Sequence, residues 1–263
     1  MRWKIRHETH YRYTLPLQYL IQHLRLTPDN SLHQQVHQWQ VSAPSALEAG
    51  IDAFANQQHT LSLMRPVSSV SLSAGGEVEL RPLADGLLPQ QANALSPLVF
   101  SLATSFTAVD ESVETFAHQQ FEQAFRRCDW LEMTHQVRQA VRYQPGKTAV
   151  NSTAAQVLEL GLGVCQDHAH VFIAACRVLQ LPCRYVSGYF YPGERDEQAS
   201  HAWVDVWSEQ GWRSLDVTHG EFASQRHVRL AVGRDYESAA PVRGVRMGGG
   251  DEIMTVKVSI APV

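Results

Sequence analysis

The sequence predicts an α+β fold: an N-terminal antiparallel β-sandwich, then a domain in which one buried helix packs on an antiparallel sheet. Three observations lead there. Short alternating apolar and polar stretches recur about every ten residues through the first hundred or so positions. The period then lengthens to that of amphipathic helices. After the last of these helices alternation returns, with a two-residue turn between two of its strands.

The elements follow in order. WKIRHETHYRY (3–13) puts Ile5, His7 and Thr9 on one face and Arg6, Glu8 and His10 on the other. LIQHLRLTP (20–28) and VHQWQVSAP (36–44) alternate likewise and end at prolines, which cannot donate to a ladder. HTLSLMRP (59–66), SSVSLSA (68–74) and GEVELRP (76–82) complete the sandwich. ADGLLPQQANALSPLVF (84–100) reads as a linker, dividing the chain into a sandwich domain over 1–105 and a second domain over 106–263. Helices are expected over 110–127, with Val113, Phe116, Ala117 and Phe121 at helical spacing, and over 131–143. A short third helix lies around 152–161, with Ser152 and Thr153 as caps and Gly161 as stop. GLGVCQDHAHVFIAACRVLQLP (161–182) holds a core helix from about Cys165 to Leu179. A strand (183–191), a charged loop (192–200) and a hairpin of HAWVDVWS (201–208) and GWRSLDVT (211–218) follow. Strands over 226–233 and 252–260 close the chain, and the loop between them carries glycines 248–250.

Composition limits the function classes. A hydrophobic share of 44% and a charged share of 18% place the chain among soluble globular proteins. The net charge of −4, with Lys and Arg scattered, gives no basic stripe for nucleic acid. No apolar run approaches the roughly 18 residues that span a bilayer, so no membrane role is expected. MRWKIRHETH lacks the apolar core of a secretory signal. The four cysteines form no CxxC pair and are expected as free thiols in a cytoplasmic protein.

Cys165 opens the buried helix, where unpaired N–H groups and the helix dipole stabilise a thiolate. Gly163, two residues earlier, lets the chain turn tightly and leaves room for a substrate. On this segment alone a nucleophile and an inert buried thiol are equally good readings. The hairpin tips the balance. With Glu209-Gln210 as its turn, Ser208 pairs with Gly211 and Trp203 lies opposite Asp216. His201, two residues from Trp203 on the same face, is then a diagonal neighbour of Asp216, within side-chain reach. An aspartate holding one imidazole nitrogen, with the other aimed at a thiol, is the logic of a catalytic triad.

These motifs resemble a family. GVCQDHAHVFIAACRVLQLPCRYVSGYFY resembles the nucleophile helix and following strand of transglutaminase-like cysteine proteins, and SHAWVDVW and SLDVTHG resemble their histidine and aspartate motifs. HVRLAVGRDYESAAPVRGVRMGGG is similar to the tail of the bacterial branch, and HETHYRY, RLTP and DAFAN are similar to its leading β domain. The resemblance implies a papain-like, transglutaminase-type core with Cys165 as nucleophile, His201 as general base and acid, and Asp216 as orienting carboxylate. It implies acyl transfer through a thioester at the amide bond of a peptide or protein, leaning to hydrolysis, with amine transfer as the alternative. The sequence departs from the family at His168, where an aromatic residue is usual. It departs again in DVTHG, where DPTNG is common, so that Val217 and His219 replace a proline and an asparagine.

Gln166, Gly163, Trp203, Tyr143 and His168 are candidate cleft residues. For Trp203, with Trp207 and Trp212, packing is the stronger reading, and Asp205 reads as an exposed strand residue. A metal centre drawn from Cys165, Asp167, His168, His170 and His201 is the rival reading. His168 and His170, two apart on a helix, project about 200° apart and do not converge, so no metal and no cofactor is expected. A binding module retaining the fold without catalysis would carry a damaged triad, and all three residues are present. The N-terminal domain leaves oligomerisation open.

Overall fold

The computed structural model describes residues 1–89, 95–193 and 200–263. Part of the expected linker (90–94) and most of the expected charged loop (194–199) lie outside the described residues. The N-terminal lobe is one curled antiparallel sheet of β1 (Arg2–Leu24), β2 (Gln34–Ser42), β3 (Leu47–Ile51), β4 (Gln57–Leu63) and β5 (Val67–Leu80), joined by two strands from the end of the chain. Helical segments follow: α1 (Glu111–Phe116), a π-turn over Ala117–Phe121, α2 (Glu122–Arg126) and α3 (Trp130–Ala140). The short strand β6 (Arg142–Tyr143), α4 (Ala154–Leu160) and the short strand β7 (Leu162–Gly163) lead into α5 (Cys165–Val178). The second sheet contains β8 (Cys183–Phe190), β9 (Ser200–Ser208), β10 (Gly211–Asp216), β11 (Glu221–Phe222) and β12 (His227–Gly233) in the order β11-β10-β9-β8-β12. The chain closes with α6 (Tyr236–Ala239), β13 (Val242–Gly248) and β14 (Glu252–Pro262).

The strands expected over 3–13 and 20–28 are one continuous strand. β1 pairs β5 and β14 along its first half, and β4 and β13 along its second. The β5 ladder breaks between Arg12 and Leu17, around Pro16, which has no N–H to give. Thr14 and Leu15 turn their N–H groups to the carbonyls of Asp251 and Gly249 instead. The sequence division at 105/106 assigns the end of the chain to the second domain, whereas β13 and β14 are part of the first lobe's sheet. Gly248, Gly249 and Gly250, expected in a loop, form the turn between them with φ of 79°, 89° and 61°, which side chains resist.

Two cores position the site. α5 is buried from Asp167 to Arg177 and packs on β9, whose Ala202, Val204 and Val206 join the same core, while α1 and α3 pack against α5. Trp3, Ile5, Val78 and Leu80 of the first lobe pack on Tyr189, Val228 and Leu230 of the second. β12 is an edge strand, and side-chain amides of the first lobe satisfy its open backbone. Gln34 accepts from Arg229 N–H (2.8 Å) and donates to Arg229 C=O (3.1 Å). Asn56 does the same for Val232 (2.7 and 2.8 Å). Among the described residues, no helix is long and apolar enough to cross a membrane.

Candidate active site

Cys165 is the first residue of α5, half-buried and free. The turn into α5 is fixed by Asp167. Its carboxylate accepts from the Val164 N–H (2.8 Å) and the Thr148 hydroxyl (2.7 Å), two donors outside the helix proper. Burial pushes the Asp167 carboxyl up, and these two bonds oppose it. A side chain on Gly163 would place its Cβ 2.6 Å from the Asp167 Cβ, so the glycine makes room for the cap. Gly163 C=O also accepts from Gln144 N–H (2.8 Å), tying the loop before the helix to the segment after β6.

The hairpin has the expected register: Gly211 pairs Ser208, and the ladder runs on to Leu215 opposite Val204. His201 Nε2 lies 2.8 Å from Asp216 Oδ2. The Cys165 thiol is within hydrogen-bonding reach of His201, whose Nδ1 is the nitrogen Asp216 leaves free. Burial favours a neutral His201 ring, but the Asp216 carboxylate and the Cys165 sulfur outweigh it and push the imidazole up to about 10. Burial likewise opposes charge on Asp216, yet His201 and the hydrogen bonds from its neighbours hold this carboxyl well below the usual range.

Asp216 has two further imidazole partners. His219 Nδ1 and His227 Nε2 lie 2.7 and 2.9 Å from the same Oδ2 that His201 meets, and the His219 backbone N–H donates to Oδ1 (3.1 Å). The tautomer of His227 is fixed: its Nδ1 accepts from the Ser224 N–H (3.0 Å), so Nε2 carries the hydrogen and donates to Asp216. Burial keeps this ring neutral against the pull of Asp216. A lone histidine at a strand start carries no local signal of this role. The shift from Asn to His within DVTHG is the one sequence feature that marks His219.

The candidate cleft residues divide. Tyr143 is 52% exposed, with its ring 6.1 Å from that of His168. Gln166 spends its amide on the Val150 carbonyl (2.8 Å). Trp203 is not a cleft residue: it is wholly buried, donates from Nε1 to Ser214 Oγ (3.0 Å) and meets the His227 ring edge-on from beneath the site. His168 is buried with both nitrogens engaged. Nε2–H donates to Val141 C=O (2.9 Å) and Nδ1 accepts from the Thr218 hydroxyl (3.1 Å), so the ring joins α5 to the aspartate loop. Burial pushes it down to about 4. Asp205 is buried rather than exposed and pairs with Arg184 (2.7 Å) and, through both carboxylate oxygens, with Arg229.

Of the donors weighed for a metal, Cys165 and His201 stay together, whereas Asp167 caps α5, His168 has both nitrogens engaged, and His170 Nε2 accepts from Tyr236 N–H (3.1 Å). A different set gathers. His201, Asp216 and His219 bring their donor atoms within 4.8 Å of one another, as do Asp216, Glu221 and His227. In both sets the histidine nitrogens hydrogen-bond Asp216, which accounts for the approach without an ion.

Residues 107–217 match the transglutaminase-like superfamily, a span that ends one residue past Asp216, and residues 3–79 match the bacterial transglutaminase-like N-terminal region. Residues 107–217 form a transglutaminase-like core, set behind a bacterial transglutaminase-like N-terminal region. The chain's relatives include uncharacterized proteins of Mycobacterium leprae (28% identity, covering 98% of each chain) and Mycobacterium tuberculosis strain H37Rv (28% identity, covering 99% of this chain and 93% of that one). This transglutaminase-like chain also shares its fold with a "putative cysteine protease" from Cytophaga hutchinsonii, at a TM-score of 0.79 and 20% identity over 99% of this chain and 90% of that one.

Proposed function

We propose that the protein is a cysteine amidase: it cleaves an amide bond of a peptide or protein through a thioester on Cys165. The observation that carries this reading is the arrangement of His201, held by Asp216 at 2.8 Å through Nε2 and interacting with the sulfur of Cys165. An imidazolium beside the sulfur favours the thiolate. The thiolate attacks the amide carbonyl carbon. The oxyanion is met by the Cys165 backbone N–H, which has no acceptor within its own helix at this first position. His201 passes its Nδ1 proton to the departing nitrogen, the C–N bond breaks and the acyl group remains on sulfur. Water then gives a proton to His201 Nδ1 and its oxygen to the acyl carbon. The C–S bond breaks, the acid leaves, and the thiolate–imidazolium pair is restored. Asp216 holds the ring in place throughout. The Cytophaga hutchinsonii protein's description as a protease supports water as the acceptor. A primary amine in place of water would give amine transfer with the same residues.

The test is a panel of amide-bearing peptides incubated with and without a primary amine and read by mass spectrometry. The free acid is expected from the wild-type chain and no product from Cys165→Ala. Amine adduct without free acid would replace hydrolysis with transfer, and product from Cys165→Ala would sink the nucleophile. In a separate measurement, Cys165 should react with iodoacetamide at pH 6 faster than an ordinary thiol.

A further inference from the structure

We propose a second binding site, between the lobes, for a small carboxylate with an apolar body and an adjacent N–H: the C-terminal residue of a peptide or an N-acyl amino acid. A cavity of about 460 Å³ lies there, within the size range of small-molecule sites. None of Cys165, His201 and Asp216 lines it. Arg184, on its wall, faces Asp205 across the β8–β9 ladder, and Asp205 is four residues from His201, about 13 Å along the strand.

The chemistry of the wall selects the ligand. Arg184 Nε donates to the buried Asp205 carboxylate (2.7 Å), and its guanidinium lies 4.3 Å from the centre of the Trp212 ring and 5.7 Å from that of Phe100. This holds the group flat and in one orientation. Arg229 takes both oxygens of the same carboxylate, so two guanidiniums share the one Asp205 anion, and burial pushes up the other carboxyl on the wall, Asp29, which weakens its claim on them. Among the described residues, no hydrogen bond engages the two terminal nitrogens of Arg184. That fork matches a carboxylate in bidentate geometry. Phe54, Phe100, Trp207 and Trp212 supply the apolar surface for the body of the ligand. Asp29 also lines the cavity and is the acceptor for the ligand N–H, while burial keeps His33 neutral and out of the charge balance.

The site does not depend on the chemistry at Cys165, and its test is kept separate from it. Titrate the whole chain, with Cys165 blocked by iodoacetamide, with N-acetylphenylalanine and with its neutral carboxamide. The readouts are calorimetry and the fluorescence of Trp207 and Trp212 on the wall. The carboxylate is expected to bind and shift the emission, and the carboxamide to bind about tenfold more weakly or worse. Arg184→Met should abolish the preference. Phe54→Ala, outside the Asp205 cluster, should weaken the carboxylate while leaving the preference in place, which covers the case in which the Arg184 variant fails to fold. Equal binding of the two ligands, or no binding of either at millimolar concentration, would overturn the site.

Discussion

Asp216 Oδ2 receives three imidazole nitrogens within 2.7–2.9 Å, so its charge is shared before His201 draws on it. His227→Leu removes one neutral N–H donor and leaves more of that charge for His201. The imidazole is then pushed further up, and the alkaline limb of the activity profile should move to higher pH. His227→Gln, which can return an N–H to the same oxygen, should restore it. A loss of activity with no movement of the limb would reduce His227 to packing. Asp216→Asn should lower kcat by about 10⁴-fold, as in other triads that lose the carboxylate but keep the geometry. His168→Phe, which restores the family's usual kind of residue, should cost about 1–3 kcal/mol in chemical denaturation, since the Val141 carbonyl loses its donor. Activity should survive, and its complete loss would make His168 the base. The His201–Asp216 contact was legible in sequence because a two-residue hairpin turn fixes the register of its strands. Asp205 was not, because its partners Arg184 and Arg229 stand 21 and 24 residues away on neighbouring strands.

The elements that matter most are the ones that present Cys165. Gly163→Ala would drive a methyl group against the Asp167 Cβ, shift the carboxylate off the Val164 N–H and loosen the first turn of α5. Iodoacetamide should then react with Cys165 with an altered rate, and stability should fall by about 1–2 kcal/mol, the cost of a lost cap. An unchanged alkylation rate together with unchanged stability would mean that the turn does not need the glycine. The periodicity that located α5 also located most strands, but it split β5 in two, passed over β3, and misjudged two further features for physical reasons. β1 was divided because Pro16 interrupts the ladder, although the backbone continues and finds acceptors on the β13–β14 turn. β13 was taken for loop because it is exposed along almost its whole length, and a strand with two wet faces has no reason to alternate.

At the scale of the molecule the two lobes are joined by the Trp3–Tyr189 core and by the Gln34 and Asn56 amides on the edge of β12. Asn56→Ala leaves the Val232 N–H and C=O without those partners, and should lower stability by about 1–3 kcal/mol. Larger in total is a pH effect spread over both lobes. His7 and His33 in the first lobe, and His168 and His170 in α5, are all pushed by burial from 6.5 down to about 4. Between those two values the unfolded chain binds protons that the folded chain refuses, so stability must fall as pH falls through that window. Each ring contributes a slope approaching about 1.4 kcal/mol per pH unit, and four together approach about 5 kcal/mol per unit near pH 5. His201 does not offset this. Its raised value contributes stability that is fully present below 6.5 and is lost only as pH rises through about 10. Asp29 and Asp167, whose carboxyls burial pushes up, act in the opposite direction, but they are outnumbered by these four rings together with His59 and His227, which burial also pushes down. Denaturation midpoints taken from pH 7.5 to 4.5 should therefore decline steeply below pH 6.5, well above the range in which ordinary carboxylates titrate. His7→Gln should flatten the decline by up to about one quarter while leaving the pH dependence of Cys165 alkylation in place. A midpoint that stays level down to pH 5 would mean that these four rings are not held neutral in the fold.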